Sequence, residues 1–302
     1  VRSLDENCIQ GMDIYASLLA RDGEKLDLDS LAEELIGISE ERPEPWIAMA
    51  HSSSAGYKRT RAIYFSQKAH NMDTSNIQAL LTKGSLLSSL TRKNEAIDHY
   101  REVIRLSPFN YDGNKGLIQC YLGSNRHKEA LAVAKNAHKC LGTNARTLFL
   151  LAMVLSKESQ TLEKAKQMLE KAVVHDPTFA DAVYDLAEIL TREQNHEGAV
   201  ELLRKHISHI KNANLHILLG HNLSALSEYQ EALDQYSIGI SMCPGNNRAI
   251  AGIHRVESLT AGNVRDIPDD LAALEERNMI AESSEENSDE DDWDLNRREV
   301  WF

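Results

Sequence analysis

The stretch Asn-Glu-Ala-Ile-Asp-His-Tyr at residues 94–100 returns as Gln-Glu-Ala-Leu-Asp-Gln-Tyr at residues 230–236. In both copies a proline follows the tyrosine by eight residues, and a glycine lies 24 residues before that proline. The two copies are 136 residues apart, which is four periods of 34. That period divides the chain into seven repeat units: 9–42, 43–76, 77–110, 111–144, 145–179, 180–212 and 213–246.

Two places within the repeat unit carry small side chains. The twentieth place is alanine in six of the seven units. The eighth place reads Ala16, Ala50, Gly84, Ile118, Ala152, Ala187 and Gly220. Small residues at facing places let two helices approach closely, and a proline near the end of a unit stops the second helix, as at Pro108, Pro177 and Pro244. A 34-residue period with these features is typical of tetratricopeptide repeats, in which each unit is a hairpin of two helices.

We therefore predict an all-α protein, a right-handed superhelical solenoid of tetratricopeptide hairpins. Gly and Pro number only 15 and 6, which is too few for a turn-rich β protein, while a hydrophobic content of 42% is enough for a core. Residues 1–8 precede the repeats, residues 9–246 form seven hairpins, and residues 247–265 supply the capping helix that an open solenoid end needs. Residues 266–302 are predicted to be an acidic, largely disordered tail.

The net charge of −13 is concentrated in that tail. Residues 266–294 hold 13 acidic residues and one basic residue. The rest of the chain is nearly neutral and lacks the basic stripe that nucleic acid binding requires, and no apolar run approaches the ~18 residues of a membrane span. Ser283 and Ser288 each have an acidic residue three positions later, so we predict that both are phosphorylation sites. The tail is then either a modifiable electrostatic element or a solubilising segment.

No pattern in the sequence indicates catalysis. Nucleophile-elbow, P-loop and HExxH motifs are absent, so we expect no enzyme activity and no cofactor. His206 and His209 lie one helical turn apart but have no third ligand at metal-binding spacing, so no metal site is expected. His206 takes the twenty-seventh place, where small residues are usual, which predicts either a local bend or a repacked, partly exposed histidine.

Cysteine usage points to a reducing compartment. The four cysteines are widely separated and include no CxxC pair, which indicates free, mostly buried thiols.

The predicted binding surface is the concave face, which repeat proteins present as one continuous surface. The second, fifth, ninth and twelfth places of the first helices point toward it. From the fourth unit onward the predicted partner-binding residues are Lys115, Gln119, Arg146, Phe149, Met153, Tyr184, Glu188, Ile217 and His221. We select Arg146, Phe149 and Tyr184 as the anchors, because Arg and aromatic residues are common at interfaces. The alternative is that some of these side chains only pack between neighbouring units.

A peptide-binding co-chaperone is the alternative function. Such modules clamp a C-terminal carboxylate with Lys and Asn at the fifth and ninth places of the first helices. In units two to five those places hold, pair by pair, Ile47 and His51, Leu81 and Ser85, Lys115 and Gln119, and Phe149 and Met153. Only Lys115 fits, and its asparagine is missing, so we do not expect a clamp.

Several stretches resemble one particular family. They are EPWIAMA at 44–50, QALLTKGSLLSSLTRKNEAIDHYREVIRLSP at 78–108, GLIQCYLGSNRHKEA at 116–130, LGTNARTLFLLA at 141–152, TREQNHEGAVELLR at 191–204 and EYQEALDQYSIGISMCP at 228–244. Together with an acidic tail that ends in Trp301-Phe302, they resemble the subunit-seven family of the anaphase-promoting complex over nearly the whole chain.

The resemblance implies a structural subunit of a large cell-cycle ubiquitin ligase, without ubiquitin-transfer chemistry of its own. It places this chain in the C-terminal portion of the family's proteins. It also implies other tetratricopeptide subunits as partners and a location in the nucleus and cytoplasm. From the charge and hydropathy patterns described above, we expect neither nucleic acid nor membrane as a partner. The family homodimerises through repeats that lie mostly outside the portion matched here.

Overall fold

The computed structural model describes residues 8–260, and every regular element within that range is helical. Fifteen α-helices and one 3-10 turn, Ser159–Thr161, follow one another along this part of the chain. The α-helices are α1 (Met12–Asp22), α2 (Lys25–Ile38), α3 (Pro43–Ala55), α4 (Arg59–Met72), α5 (Ile77–Ser89), α6 (Lys93–Leu106), α7 (Tyr111–Gly123), α8 (His127–Leu141), α9 (Ala145–Leu155), α10 (Leu162–His175), α11 (Ala180–Arg192), α12 (His196–Ile207), α13 (Ala213–Ala225), α14 (Tyr229–Met242) and α15 (Asn247–Thr260). The predicted all-α tetratricopeptide architecture is confirmed.

Each repeat unit contains one pair of helices, and α15 follows the last pair. From the second unit onward the first helix begins at the first residue of the unit. α6, α10 and α14 each end two residues before a proline, as expected for a residue that cannot donate the next helical hydrogen bond. The residue gained in the fifth unit falls between α9 and α10, where the 3-10 turn lies. The predicted tail, including Ser283 and Ser288, lies outside the described residues.

The turns between the paired helices share one backbone conformation. Its defining residue has a positive φ and stands at the fifteenth place of six units: Gly23, Tyr57, Thr91, Asn125, Gln194 and Ser227. In each case the next N–H bonds the carbonyl five residues back, as from Arg92 to Leu87 at 3.0 Å. This is the Schellman arrangement, which satisfies carbonyls that the helix end would otherwise leave unpaired.

The first helices are capped by asparagine. The last residue of units two, three, four, six and seven is asparagine in every case: Asn76, Asn110, Asn144, Asn212 and Asn246. Each side-chain oxygen accepts a hydrogen bond from a backbone N–H in the first turn of the following helix. Since the first four N–H groups of a helix have no partner within it, these caps fix where each hairpin begins.

The chain divides into two compact bodies: an N-terminal body up to Leu186 and a C-terminal body from Ala187. In the N-terminal body each helix up to α10 packs on its chain neighbours. The small side chains of the repeat lie at these contacts, and Ala16, Ala50 and Ala96 are fully buried. In the C-terminal body α12, α13, α14 and α15 pack in the same sequential manner.

Two expectations about individual side chains need correction. His206 of α12 is buried rather than partly exposed, because its place in the repeat faces the interior, as the burial of Ala69 and Ala137 at the same place shows. The cysteines are free, but only Cys120 is buried; Cys140 lies in the last turn of α8 and is exposed. Cys243, directly after α14, is also exposed. Both cysteines come after the last buried residue of their helix, which is Ala137 in α8 and Gly239 in α14.

Candidate protein-interaction surface

Five side chains from the first helices form one surface of the N-terminal body, which we call the Arg146 surface. They come from α7, α9 and α11 and comprise Tyr111, Lys115, Gln119, Arg146 and Asp181. Asn110 and Asn144 fix the first turns of α7 and α9, and Asn144 does so through a reciprocal capping box with Thr147. The surface therefore stands on helices whose starting points are determined by the repeat.

Lys115 joins two neighbouring hairpins. Its Nζ lies 2.5 Å from Oδ2 of Asp181, and 5.5 Å from the centroid of the Phe149 ring. Neither partner of the ion pair is fully exposed, so water screens this pair less than it screens an exposed pair such as Arg101 and Asp98 on α6. The pair spans 66 residues of sequence and ties α7 to α11 within the N-terminal body.

Tyr111 and Arg146 form the second contact of the surface. The Arg146 guanidinium carbon lies 5.2 Å from the centroid of the Tyr111 ring, a cation–π distance. The Tyr111 hydroxyl is buried and has no hydrogen-bond partner among residues 8–260. Burial first, and then the charge of Asp181, raise the pKa of Tyr111 far above its ordinary value, so the hydroxyl stays protonated and able to donate.

Arg146 is the exposed cation of this surface. Within residues 8–260 it forms no ion pair, and its side chain stays exposed while the guanidinium lies over the Tyr111 ring. Gln119, one turn beyond Lys115 on α7, is also exposed. An arginine held on an aromatic ring and an exposed amide can each bind the carboxylate and carbonyl groups of a partner protein.

Three of the predicted partner-binding residues are packing residues instead. Phe149 and Met153 of α9 and Ile217 of α13 are 4%, 9% and 7% exposed. The Phe149 ring packs edge-on against Phe179 at 5.3 Å between centroids, and Ile217 fills the space beside Gly239. For these three the expectation of a free binding side chain is corrected, because the chain itself already covers them.

The other three predicted residues keep accessible surface. Tyr184 of α11 is half-buried in the N-terminal body. In the C-terminal body, Glu188 forms an ion pair with Arg192 at 2.7 Å, and His221 of α13 is half-buried. Their role in partner binding stays a prediction.

The sequence pattern missed two members of the Arg146 surface. Asp181 stands at the second place of its unit, one of the four places that point to this face, so the pattern itself could have identified it. Tyr111 stands at the first place, which no repeat rule assigns to the surface. Only the packing of Arg146 on its ring shows that it belongs there.

The described residues were also compared with the requirements of a metal site and of a membrane-crossing helix. Among residues 8–260 no three His, Cys, Asp or Glu side chains are placed to hold a metal ion together. No described helix combines the length and apolar character that crossing a membrane requires.

Comparison with known families matches two parts of the sequence. A family model described as anaphase-promoting complex, cyclosome, subunit 3 matches residues 158–237. A model described as tetratricopeptide repeat matches residues 77–110, the third repeat unit.

Comparison with individual proteins matches nearly the whole chain. It is 40% identical over 296 residues to proteins named anaphase-promoting complex subunit 7 from Mus musculus and Homo sapiens, which covers 96% of this chain and 52% of each relative. A protein of the same name from Arabidopsis thaliana is 28% identical over 270 residues, covering 89% of this chain and 48% of that protein. The chain thus spans about half the length of these relatives. The resemblance seen in the sequence stretches is confirmed.

Solved structures share the fold. A crystal structure of the APC/C hetero-tetramer Cut9-Hcn1 matches with a TM-score of 0.59 at 15% identity, covering 84% of this chain and 50% of that one. A tetratricopeptide repeat protein from Parabacteroides merdae matches with a TM-score of 0.60 at 16% identity, covering 82% and 99%. At such identities the likeness concerns the fold alone. Hairpin geometry and sequence together make this chain a tetratricopeptide-repeat protein that is similar, over nearly its whole length, to anaphase-promoting complex subunit 7.

Proposed function

We propose that this chain is a non-catalytic scaffold subunit of the anaphase-promoting complex, a cell-cycle ubiquitin ligase, and that it holds neighbouring subunits through its repeats. The observation that carries the proposal is the 40% identity over 296 residues to proteins named as subunit 7 of that complex. This identity extends over 96% of the chain, whereas the repeat period alone determines only a few places in each unit.

The proposed partners are other tetratricopeptide subunits of the same ligase. The Arg146 surface supports this proposal, because it offers an exposed arginine and an exposed glutamine on rigid, capped helices. We place dimerisation, which the family resemblance implies, mostly outside the residues of this chain. The proposed location is the nucleus and cytoplasm, and the proposed role of Ser283 and Ser288 is regulation of the acidic tail.

The co-chaperone alternative is disfavoured by the position of Lys115. A carboxylate clamp needs a lysine that is available to the peptide terminus, whereas the Lys115 ammonium already pairs with Asp181 at 2.5 Å. Its ninth-place partner is Gln119 instead of the required asparagine.

Affinity purification of the tagged chain from cells, followed by gel filtration and mass spectrometry, tests the proposal. We expect ligase subunits, other tetratricopeptide subunits among them, to co-elute with the chain in a large assembly. Arg146→Ala should lower their recovery several-fold, while Lys128→Ala, which removes an exposed charge from the second helix α8, should not. Recovery of chaperones without ligase subunits would refute the proposal.

A further inference from the structure

One seam between hairpins of the N-terminal body differs in chemical kind from the seams on either side. It is lined by three basic residues, His70 of α4, Lys83 of α5 and His99 of α6, which we call the basic seam. One repeat earlier and one repeat later the equivalent places are entirely apolar: Ile36, Met49 and Phe65, then Ile104, Leu117 and Val133. In the earlier seam Ile36 and Met49 pack against the apolar cluster that contains Phe65. The neighbouring repeats therefore have an apolar contact at these three places, whereas in the basic seam all three places hold basic residues.

The three bases lie close together. The rings of His70 and His99 meet edge to face, with 5.9 Å between their centroids and an interplanar angle of 79°. All three side chains are half-buried, so a ligand from solvent can reach them. Loss of hydration first, and then the charge of Lys83, hold the pKa of His70 below its usual value and lower that of His99 to about 4. Both imidazoles are therefore neutral near pH 7 beside a lysine.

Within residues 8–260, polar groups of the basic seam are left without partners. The Nδ1 atom of His70 is buried without a hydrogen bond, and Lys83 forms neither a hydrogen bond nor an ion pair among residues 8–260. Partial burial of Lys83 lowers the pKa of its amine, which is the expected effect of removing a charge from water without pairing it.

The surrounding carboxylates are already engaged. Glu95 accepts two hydrogen bonds from Arg92, both at 2.8 Å, and Glu102 accepts two from Arg105. The Asp73 carboxylate accepts hydrogen bonds from the backbone and hydroxyl of Ser75, and Asp98 lies 3.7 Å from the guanidinium of Arg101. These four acidic groups interact electrostatically with the bases of the seam, but none of them forms an ion pair with Lys83.

We propose that the basic seam binds an oxyanion, namely the carboxylate or phosphate of an acidic or phosphorylated side chain on a partner protein. Lys83 donates to the anion, and each imidazole takes up a proton from solvent and donates through the resulting N–H. Hydrogen bonds between charged groups are about twice as strong as neutral ones, and half-burial strengthens them further. By linkage, an anion that binds the protonated rings must raise the proton affinity of both. The site is independent of the proposed ligase function.

Titration of the imidazole NMR signals tests the site. The signals of the two histidines are assigned with His70→Gln and His99→Gln variants, and the chain is titrated at pH 6.5 with inorganic phosphate or with acetate at constant ionic strength. We expect saturable shifts confined to these two rings and an upward shift of both their pKa values. Lys83→Gln should weaken binding at least tenfold, whereas Lys128→Gln on the exposed side of α8 should leave it unchanged.

The two probes distinguish the sources of the anion. Saturation by phosphate alone supports a phosphorylated partner, and saturation by acetate as well supports a carboxylate partner. Absence of saturable shifts with both probes, or equal affinity in the wild type and Lys83→Gln, would overturn the proposal. Circular dichroism verifies that each variant is folded; if Lys83→Gln is not, His99→Gln serves as the test of affinity through the remaining His70 signal.

Discussion

The ring of Tyr100 lies so close to Gly116 that a Cβ atom on that glycine would stand 2.4 Å from two ring atoms. Tyr236 has the same relationship to Gly252, again at 2.4 Å, 136 residues later. In each case the tyrosine lies on the second helix of a hairpin, α6 or α14, and its ring contacts the helix that follows, α7 or α15. The repeated Tyr and Gly thus define one interlocking contact between consecutive elements.

Gly116→Ala should therefore destabilise the protein by about 1–3 kcal/mol, because the added methyl group overpacks the contact with Tyr100. The measurement is the free energy of unfolding in urea. Gly37→Ala is the matched control: Gly37 is also helical, but no atom lies within 4 Å of its added Cβ. That variant should gain up to about 1 kcal/mol from helix propensity. Equal effects of the two substitutions would contradict the interlocking contact.

Thr91→Gly should stabilise the protein by about 1 kcal/mol. Thr91 holds φ at 60° in the turn after α5, a conformation that is unfavourable for a β-branched residue and that Gly23 provides at the same place of the first unit. Ser124→Gly is the control, since Ser124 in the next turn has a φ of −106° and gains no relief. A loss of stability in Thr91→Gly equal to that in the control would show that the turn carries no strain.

Ala96→Leu should cost about 1–3 kcal/mol, because Ala96 is fully buried where α5 and α6 approach. Each repeat contacts mainly its neighbours, so hydrogen exchange should accelerate in units two to four and little elsewhere. Ala225→Leu, at an exposed position of α13, should leave exchange unchanged. A uniform loss of protection across all seven units would contradict nearest-neighbour stabilisation.

Stability should fall as the pH decreases from about 6.5 to about 4. Loss of hydration lowers the pKa of His51 to about 4, and its ring nitrogen lies 3.1 Å from the Thr82 hydroxyl. Because the folded pKa is below the unfolded one, the unfolded chain takes up the proton first. His51 alone accounts for about 3 kcal/mol of the stability lost across this range, and His99, whose pKa is also about 4, acts in the same direction. The measurement is urea unfolding at a series of pH values.

His51→Gln should reduce that pH dependence, measured by urea unfolding at the same series of pH values. An identical slope in His51→Gln and the wild type would show that His51 does not contribute.

The repeat period predicted the helices well because it is a global constraint on the chain. Pro108, Pro177 and Pro244 locate the helix ends, and the five asparagines at the last place of the unit form a signal that the sequence already contains. The period predicts the partner-binding residues less well. It determines the face of the helix on which a residue lies, but not which other side chains cover that face. Phe149 points to the predicted face, yet Phe179 from the segment before α11 covers it.

The basic seam could not be recognised from local patterns for a related reason. Each of His70, Lys83 and His99 is an ordinary residue in its own helix, and they lie up to 29 positions apart. Their common site appears only when the two hairpins are packed and the equivalent apolar residues are compared across repeats.

Site-specific photo-crosslinking tests the proposal that the Arg146 surface binds other subunits of the ligase. A photoreactive residue is introduced in cells at Gln119, exposed on α7, and as a control at Lys128, exposed on α8. We expect a covalent adduct from position 119 with another tetratricopeptide subunit, and no adduct with that subunit from position 128. Adducts with chaperones alone, or the same subunit captured equally from both positions, would contradict it.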